Sequence, residues 1–366
     1  MVGMPRFATG VVLSVLADRD GLQRLTVRIG DQERPATAFI AASGRSAEGD
    51  RVVLNTTAVD LGLGTGGEDF VVWNLERSEA GSLGGGHILK LRYTPWQVDT
   101  LSAEAPESEF HSLLAEAADL SGMPVVACGV HSQLPAIAAT LKRQRPALRV
   151  AYLMTDGAAL PLAYSDSVAQ LKALGLIDVT LSCGHAFGGD LDCVNVFSGL
   201  TAARHAAGAD VAIVAMGPGI VGTDTVLGHT GMEQGQVLNA AAALGGAPIA
   251  VLRVSFADPR PRHRGVSHHT LSALRYGTLA RSLVAVPELP ADRLGPVLDQ
   301  LDRHGLGDRH EVRIVDAGAT LAAMEQFGLA PRSMGRTVDD DPAYHLAAGA
   351  AAVVAGDLLA ATHSEA

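Results

Sequence analysis

The sequence predicts an α/β protein: a mostly parallel, helix-flanked (Rossmann-like) sheet preceded by a small N-terminal β-barrel of SH3-like or OB-like type. Three observations carry this. Residues 6 to 75 form short runs of alternating apolar and polar residues broken by turn chemistry. From His87 onward, apolar strand-like runs alternate with amphipathic or alanine-rich stretches of helical length. Aromatic residues are only 4% of the chain, whereas alanine, valine, leucine and 41 glycines dominate, which favours helices laid closely on parallel strands.

The barrel strands are expected at Gly10 to Leu16, Arg24 to Ile29, Thr37 to Ile40, Arg51 to Thr57 and Phe70 to Leu75. Asp18-Arg19-Asp20-Gly21, Gly30-Asp31 and Glu48-Gly49-Asp50 supply the turns between them. Gly81 to Gly86 reads as a linker or turn, dividing a barrel domain of residues 1–80 from an α/β domain of residues 81–366. In the second domain the expected strands are Ile88 to Tyr93, Pro124 to Val130, Arg149 to Met154, Asp178 to Ser182, Asp210 to Met216, Pro248 to Ser255, Ser282 to Val286 and Val312 to Val315. Helices fall between most of them, including Glu107 to Ser121, Gln133 to Gln144, Met232 to Leu244 and His269 to Leu279. A last alanine-rich helix, Ala343 to Ala361, is expected to pack through its small residues, and its alanine face could equally line a homodimer contact.

Composition narrows the function classes. The formal charge of -11 and the absence of a basic run beyond Arg260 to Arg264 oppose nucleic-acid binding, which needs clustered cations. Three cysteines, Cys128, Cys183 and Cys193, do not make a disulfide framework and suit a reducing, cytoplasmic compartment. The run Val11 to Ala17 lacks a convincing cleavage pattern for a signal peptide, and Asp357 interrupts the apolar run from His345 to Ala361, so no membrane span is expected.

The strongest functional signal lies after the run Val211 to Met216. Gly217, Gly219, Gly222, Gly228 and Gly231 are interleaved there with Thr223, Thr225, His229 and Thr230. Glycines let backbone N–H groups turn toward one point, and the threonines and imidazole supply polar partners, so the loop could cradle a phosphate or carboxylate. A dinucleotide fingerprint is disfavoured: the helix opens about ten residues after Gly222, and no acidic residue ends a following strand at the expected spacing. A Walker loop is excluded, because no Gly-Lys-Ser/Thr is present. The plainer alternative is a structural loop whose glycines let a long connection fold back.

If the sheet is parallel, four further loops share an edge with this one. They carry Cys128 and His131, Thr155 and Asp156, Cys183 to Asp192, and Arg262 to Thr270 with His268 and His269. His131, His185 and His229 are candidate acid/base groups, with Asp156 or Asp190 orienting an imidazole or a metal. Gly217, Gly219, Gly222, Thr223, Thr225, Thr230 and His268 are candidate ligand contacts. His185, Asp190 and His229 are candidate metal ligands, although neither H-E-x-x-H nor paired C-x-x-C occurs. Cys128 with His131, and Cys183 with His185, place thiol beside imidazole, but buried inert cysteines are the plainer reading.

Met216-Gly217-Pro218-Gly219-Ile220-Val221-Gly222-Thr223, Gly228-His229-Thr230-Gly231 and the stretch from Asn55 to Gly67 give the chain its family likeness. On these residues it resembles, over nearly its whole length, the bacterial family termed domain of unknown function 3866. The resemblance implies a bacterial cytoplasmic protein and supplies no activity, cofactor or catalytic residue. The reading drawn from the residues is therefore a protein that binds, and could transform, a small anionic or phosphorylated metabolite at the strand-end crevice, with no cofactor identified. The alternatives are a non-catalytic assembly or regulatory module and a metal-dependent hydrolase.

Overall fold

The computed structural model describes residues 3–63, 66–79, 81, 83–158 and 160–364. Within the glycine turn at 62–67, Gly64 and Thr65 lie outside the described residues, as does Ser82 of the 81–86 stretch. Two compact units divide the chain, Met1–Leu101 and Ser102–Ala366.

In the first unit, β1 (Phe7–Arg19), β2 (Leu22–Ile29), β3 (Gln32–Phe39), β4 (Arg51–Asn55) and β5 (Asp69–Asn74) close into a barrel in the order β1-β2-β3-β5-β4. All neighbouring pairs are antiparallel except β3 with β5, an arrangement that fits the OB-like of the two barrel alternatives. Alternate inward residues, among them Val12, Leu25, Val27, Val52 and Leu54, fill the interior. The unit also contains a hairpin of β6 (Ile88–Lys90) and β7 (Val98–Thr100). Here the sequence reading is corrected: Ile88 to Lys90 pairs antiparallel with a neighbour in sequence and takes no part in the large sheet. A three-residue pairing closed by a nearby turn satisfies its backbone locally.

The second unit holds a sheet of eight parallel strands: β8 (Pro124–Ala127), β9 (Val150–Thr155), β10 (Val179–Ser182), β11 (Leu191–Asp192), β12 (Val211–Met216), β13 (Ala247–Val251), and, after a two-stranded hairpin of β14 (Val254–Ser255) and β15 (Gly265–Val266), β16 (Leu283–Pro287) and β17 (Glu311–Val315). Their order is β11-β10-β9-β12-β8-β13-β16-β17. Each central strand is buried on both faces, so its residues alternate between two cores. Val125, Ala127, Leu153, Ala212 and Val214 face one, and Val126, Tyr152, Met154, Ile213 and Ala215 face the other. Helices cover both faces. Glu107 to Ser121 is mostly turns, with only His111–Leu114 helical, because Leu120 and Gly122 bond to the backbone at 244–245 instead of continuing a helix.

The strand order sets the direction of each connection. From β8 the chain steps outward through β9 and β10 to β11, then returns to β12 and steps the other way through β13, β16 and β17. Connections therefore leave β9 and β12 in opposite directions, and those leaving β8 and β13 also diverge, which opens the carboxyl edge where α/β proteins hold ligands.

The last helix, Pro342–Ser364, is longer than the sequence reading allowed, and its Pro342–Ala361 segment is long and apolar enough to cross a membrane. Yet 67% of its apolar window is buried in the protein, where it packs on helix Leu134–Gln144 and along β13 and β16. The small residues through which this helix is expected to pack, among them Ala347, Ala348, Ala351 and Ala355, are buried within the same chain.

One stability prediction follows from local geometry. Gly307 lies in helix Leu306–Arg309, and a methyl group there would meet nothing within 4 Å. Gly307→Ala should therefore stabilise the chain by about 0.5–1 kcal/mol through lost unfolded-state freedom. Chemical denaturation of the two proteins side by side checks it, and a less stable variant would contradict it.

Candidate functional site

Two loops build the centre of the carboxyl edge. The loop after β12 folds into a hairpin: Gly222 bridges His229, Thr223 N donates to the Gly228 carbonyl at 2.9 Å, and Thr230 N donates to the Val221 carbonyl at 2.9 Å. The loop after β13 is tied by the β14–β15 pairing, which returns His263 to the strand end and leads into helix His268–Ser272. That helix continues as a π-helical turn, Ala273–Gly277. Two buried glutamines pin the strand ends beneath. Gln234 Nε2 donates to the carbonyls of Ala127 and Val251 at 2.8 and 2.9 Å, and Gln133 takes the amides of Gly129 and Val130 while donating to the Leu252 carbonyl.

These loops bring four histidines into ring contact. His229 stacks on His269 with centroids 4.0 Å apart and planes 15° from parallel. His268 lies 4.3 Å from His269 and 5.7 Å from His229, and His263 lies 4.9 and 5.0 Å from His268 and His269. His229, His263 and His269 are buried, and His268 is half-buried. Among the described residues, both ring nitrogens of His229, both of His268 and Nδ1 of His269 are buried without a hydrogen-bond partner. The carbonyls of Val226 and Arg262 lie close to His229 and His268 but outside hydrogen-bonding geometry.

Burial is the main reason all four rings are held neutral. It pushes His263 down to about 3, helped by Arg253 and Arg260, and His269 down to about 2, helped by His229 and His268. His229 and His268 are lowered in the same direction, first by burial. His263, His268 and His269 each bring one ligand nitrogen within 4.8 Å of the others, so these three could hold a metal ion.

Beside the cluster lies a polar network. Asp258, fully buried, accepts two hydrogen bonds from the Arg260 side chain and one from Arg336, and Arg253 Nη2 stands 3.7 Å away. Asp341 takes Ser255 and lies 3.4 Å from Arg336. Three arginines thus face two carboxylates, and Arg253 Nη2 is buried with no hydrogen bond.

A buried carboxyl group, Glu233, lies against the segment that follows β9. Glu233 opens helix Glu233–Ala243, directly after the hairpin, and Gly157 approaches it so closely that a methyl group there would lie 2.5 Å from Glu233 Oε2. Burial, reinforced by Asp156, pushes Glu233 up to about 7, against the pull of the facing Thr155 hydroxyl. Glu233 Oε2 and Thr155 Oγ1 are both buried without a hydrogen bond in good geometry.

The residues expected from the sequence are distributed unevenly around this centre. His229 and His268 are in it. His131 follows β8 but is sealed beneath, with Nε2 2.7 Å from Ser165 Oγ and Nδ1 3.2 Å from the Met216 carbonyl and 3.1 Å from the Tyr152 hydroxyl. These bonds and its burial make it a neutral structural group instead of a crevice acid. His185 is half-buried after β10, and Asp156 accepts its backbone N–H at 2.7 Å, so this carboxylate secures the 183–185 turn. Asp190 is paired with Lys172 and accepts from the Thr180 amide and hydroxyl, midway along β10 and away from the strand ends. His185, Asp190 and His229 are therefore not gathered as a metal set. Cys128, Cys183 and Cys193 are buried without disulfides, and burial drives the Cys128 thiol far up, away from thiolate chemistry.

The glycine loop also does something other than expected. Thr223 Oγ1 donates to the Gly228 carbonyl, Thr225 Oγ1 accepts from Gly228 N, and Thr230 Oγ1 accepts from Val221 N. The hydroxyls meant for an anion are spent inside the hairpin. Of the cradle residues, Gly222 touches the centre: a methyl group there would lie 3.1 Å from His269 Nε2. Gly217 and Gly219 lie at the base of the hairpin, where Gly219 takes a φ of 112°. His263 and Glu233 were not singled out from the sequence, though His263 belongs to the motif Arg262-His263-Arg264 and Glu233 sits four residues after His229. A shallow depression lined by Arg145, Leu148 and Asp210 lies at the opposite, amino edge, remote from these groups.

A closed barrel followed by a parallel, helix-flanked sheet with histidines at its carboxyl edge defines the class. The chain belongs to the family described as "Protein of unknown function (DUF3866)", whose model matches residues 35–352. No match was found among curated proteins or among solved structures.

Proposed function

We propose that the carboxyl edge of the sheet binds a small anionic molecule and that the protein transforms it there. The observation that supports this most directly is the cluster of four neutral imidazoles, three of which, His229, His268 and His269, hold ring nitrogens without a hydrogen-bond partner. A buried polar group left without a partner costs about 1–3 kcal/mol, so a ligand that supplies partners recovers what the fold gives up. The anionic class follows from charge: Arg253, Arg260 and Arg336 outnumber Asp258 and Asp341, and Arg253 Nη2, 3.7 Å from Asp258, makes no hydrogen bond. Glu233, titrating at about 7, is suited to move a proton at physiological pH.

The test is thermal unfolding of the full chain with inorganic phosphate, sugar phosphates, nucleotides and dicarboxylates. A member of the set supplied at about 100 times its Kd should raise Tm by roughly 5 °C. His229→Ala should abolish that shift, while Glu233→Gln should keep it and lose turnover. Equal Tm values across the whole set would remove the reading.

A further inference from the structure

We infer that His263, His268 and His269 form a site for one divalent transition metal of the zinc class, with an open coordination position for an exogenous anion. The inference rests on the reading that this edge is a ligand site. Three ligand nitrogens within 4.8 Å of one another already approach the arrangement a metal requires. At metal–nitrogen distances of about 2.0–2.1 Å, tetrahedral ligands stand roughly 3.4 Å apart. Small side-chain rotations close that difference.

The donor set selects the metal. Three imidazoles suit zinc, copper, nickel or iron, whereas magnesium and calcium call for oxygen ligands. The nearest carboxylates are occupied: Asp258 by Arg260 and Arg336, and Asp224 by Arg262 at 2.6 Å. No thiol enters, because Cys128, Cys183 and Cys193 lie in the cores against the sheet.

A supporting shell is in place. His263 Nδ1 is 2.8 Å from Ser267 Oγ, which fixes the ring and leaves Nε2 for the metal. Ser267 also accepts the His269 backbone N–H, so one hydroxyl orients two of the three ligands. His229, stacked on His269, holds that ring's plane and acts as a positioning residue. The partnerless nitrogens of His268 and His269 are the independent sign that something beyond protein belongs here. Three neutral ligands leave the ion's double charge uncompensated, and beside it stands a polar network with one arginine in excess. An anion in the open position answers both.

The full chain, stripped with a chelator, is titrated with Co2+ and followed by visible absorption. The expected result is one equivalent bound with the intense bands of tetrahedral cobalt, displaced by zinc. His268→Ala alters the most exposed of the three ligands and should weaken binding roughly 100-fold or more, and Ser267→Ala should weaken it about 10–100-fold. Circular dichroism confirms that each variant is folded. If the wild-type chain gives no such bands, or if folded His268→Ala binds Co2+ as tightly as wild type, the metal site is overturned. Phosphate-induced thermal shifts, run on stripped and on metal-loaded protein, separate the two readings. An anion shift in a chain that takes up no metal ends only the metal site, and metal uptake without any anion shift ends the broader reading and the anion's place on the ion, leaving the three ligands standing.

Discussion

Acidification from pH 7 to about 4 is expected to remove roughly 3 kcal/mol of stability through His131 alone, and a similar amount through His345. Burial holds both rings down to about 4 from an ordinary 6.5, His131 against the pull of the Met216 carbonyl and His345 against that of Asp341. In the unfolded chain each histidine takes up a proton near pH 6.5, but in the folded chain it does not until about 4. Between those values unfolding is accompanied by proton uptake, so stability falls as pH falls, by about 1.4 kcal/mol per pH unit and per group. Against a total of about 5–15 kcal/mol, two such groups threaten the fold well before the carboxylates contribute. Those act lower: Asp258, held down chiefly by Arg260, sheds its contribution only below the ordinary carboxylate range. Urea unfolding of wild type and His131→Asn at pH 7, 6, 5 and 4 measures the effect. The wild type should lose about 3 kcal/mol more than the variant across that range, and parallel losses would show that His131 is not the sensor.

The same buried histidine shows why the fold was easier to read than the site. Strand runs such as Val211 to Met216 are apolar because both faces of a central parallel strand are covered, and that constraint is local in sequence. The glycine and threonine content of 217–231 marked an unusual loop, but the use of its hydroxyls depends on the hairpin register that sets Gly222 opposite His229. Which loops meet depends on strand order. β12 inserts between β9 and β8, so the loops after β12 and β13 close over the end of β8, while His185 follows β10, on the far side of β9. No spacing along the chain carries that information. His263 was hidden by its arginine neighbours, and Glu233 by its place in an ordinary first helical turn, where acidic residues are favoured whatever they do.

The close approach of two helices supplies the second large effect. Gly235 in helix Glu233–Ala243 faces Gly277, at the end of the segment that begins with His268 and His269. A methyl group on Gly235 would lie 2.5 Å from the Gly277 carbonyl carbon and 2.8 Å from its oxygen. Backbone cannot swing aside as a side chain can, and Asn239 clamps the same segment by donating to the Gly277 carbonyl and accepting from Leu279 and Ala280. Two opposing terms decide the sign for Gly235→Ala. Alanine gains up to about 1 kcal/mol of helix propensity, whereas forcing apart a close-packed contact costs about 1–3 kcal/mol and more when only backbone can yield. Overpacking wins, with a fall in Tm of roughly 3 °C. The displacement also parts Glu233 and His229 from His268 and His269, so Co2+ binding should weaken together with stability. Gly307→Ala, which adds the same methyl group into open space, should leave that binding unchanged. A Gly235→Ala chain as stable as wild type would mean that the two helices are not held as closely as their glycines indicate.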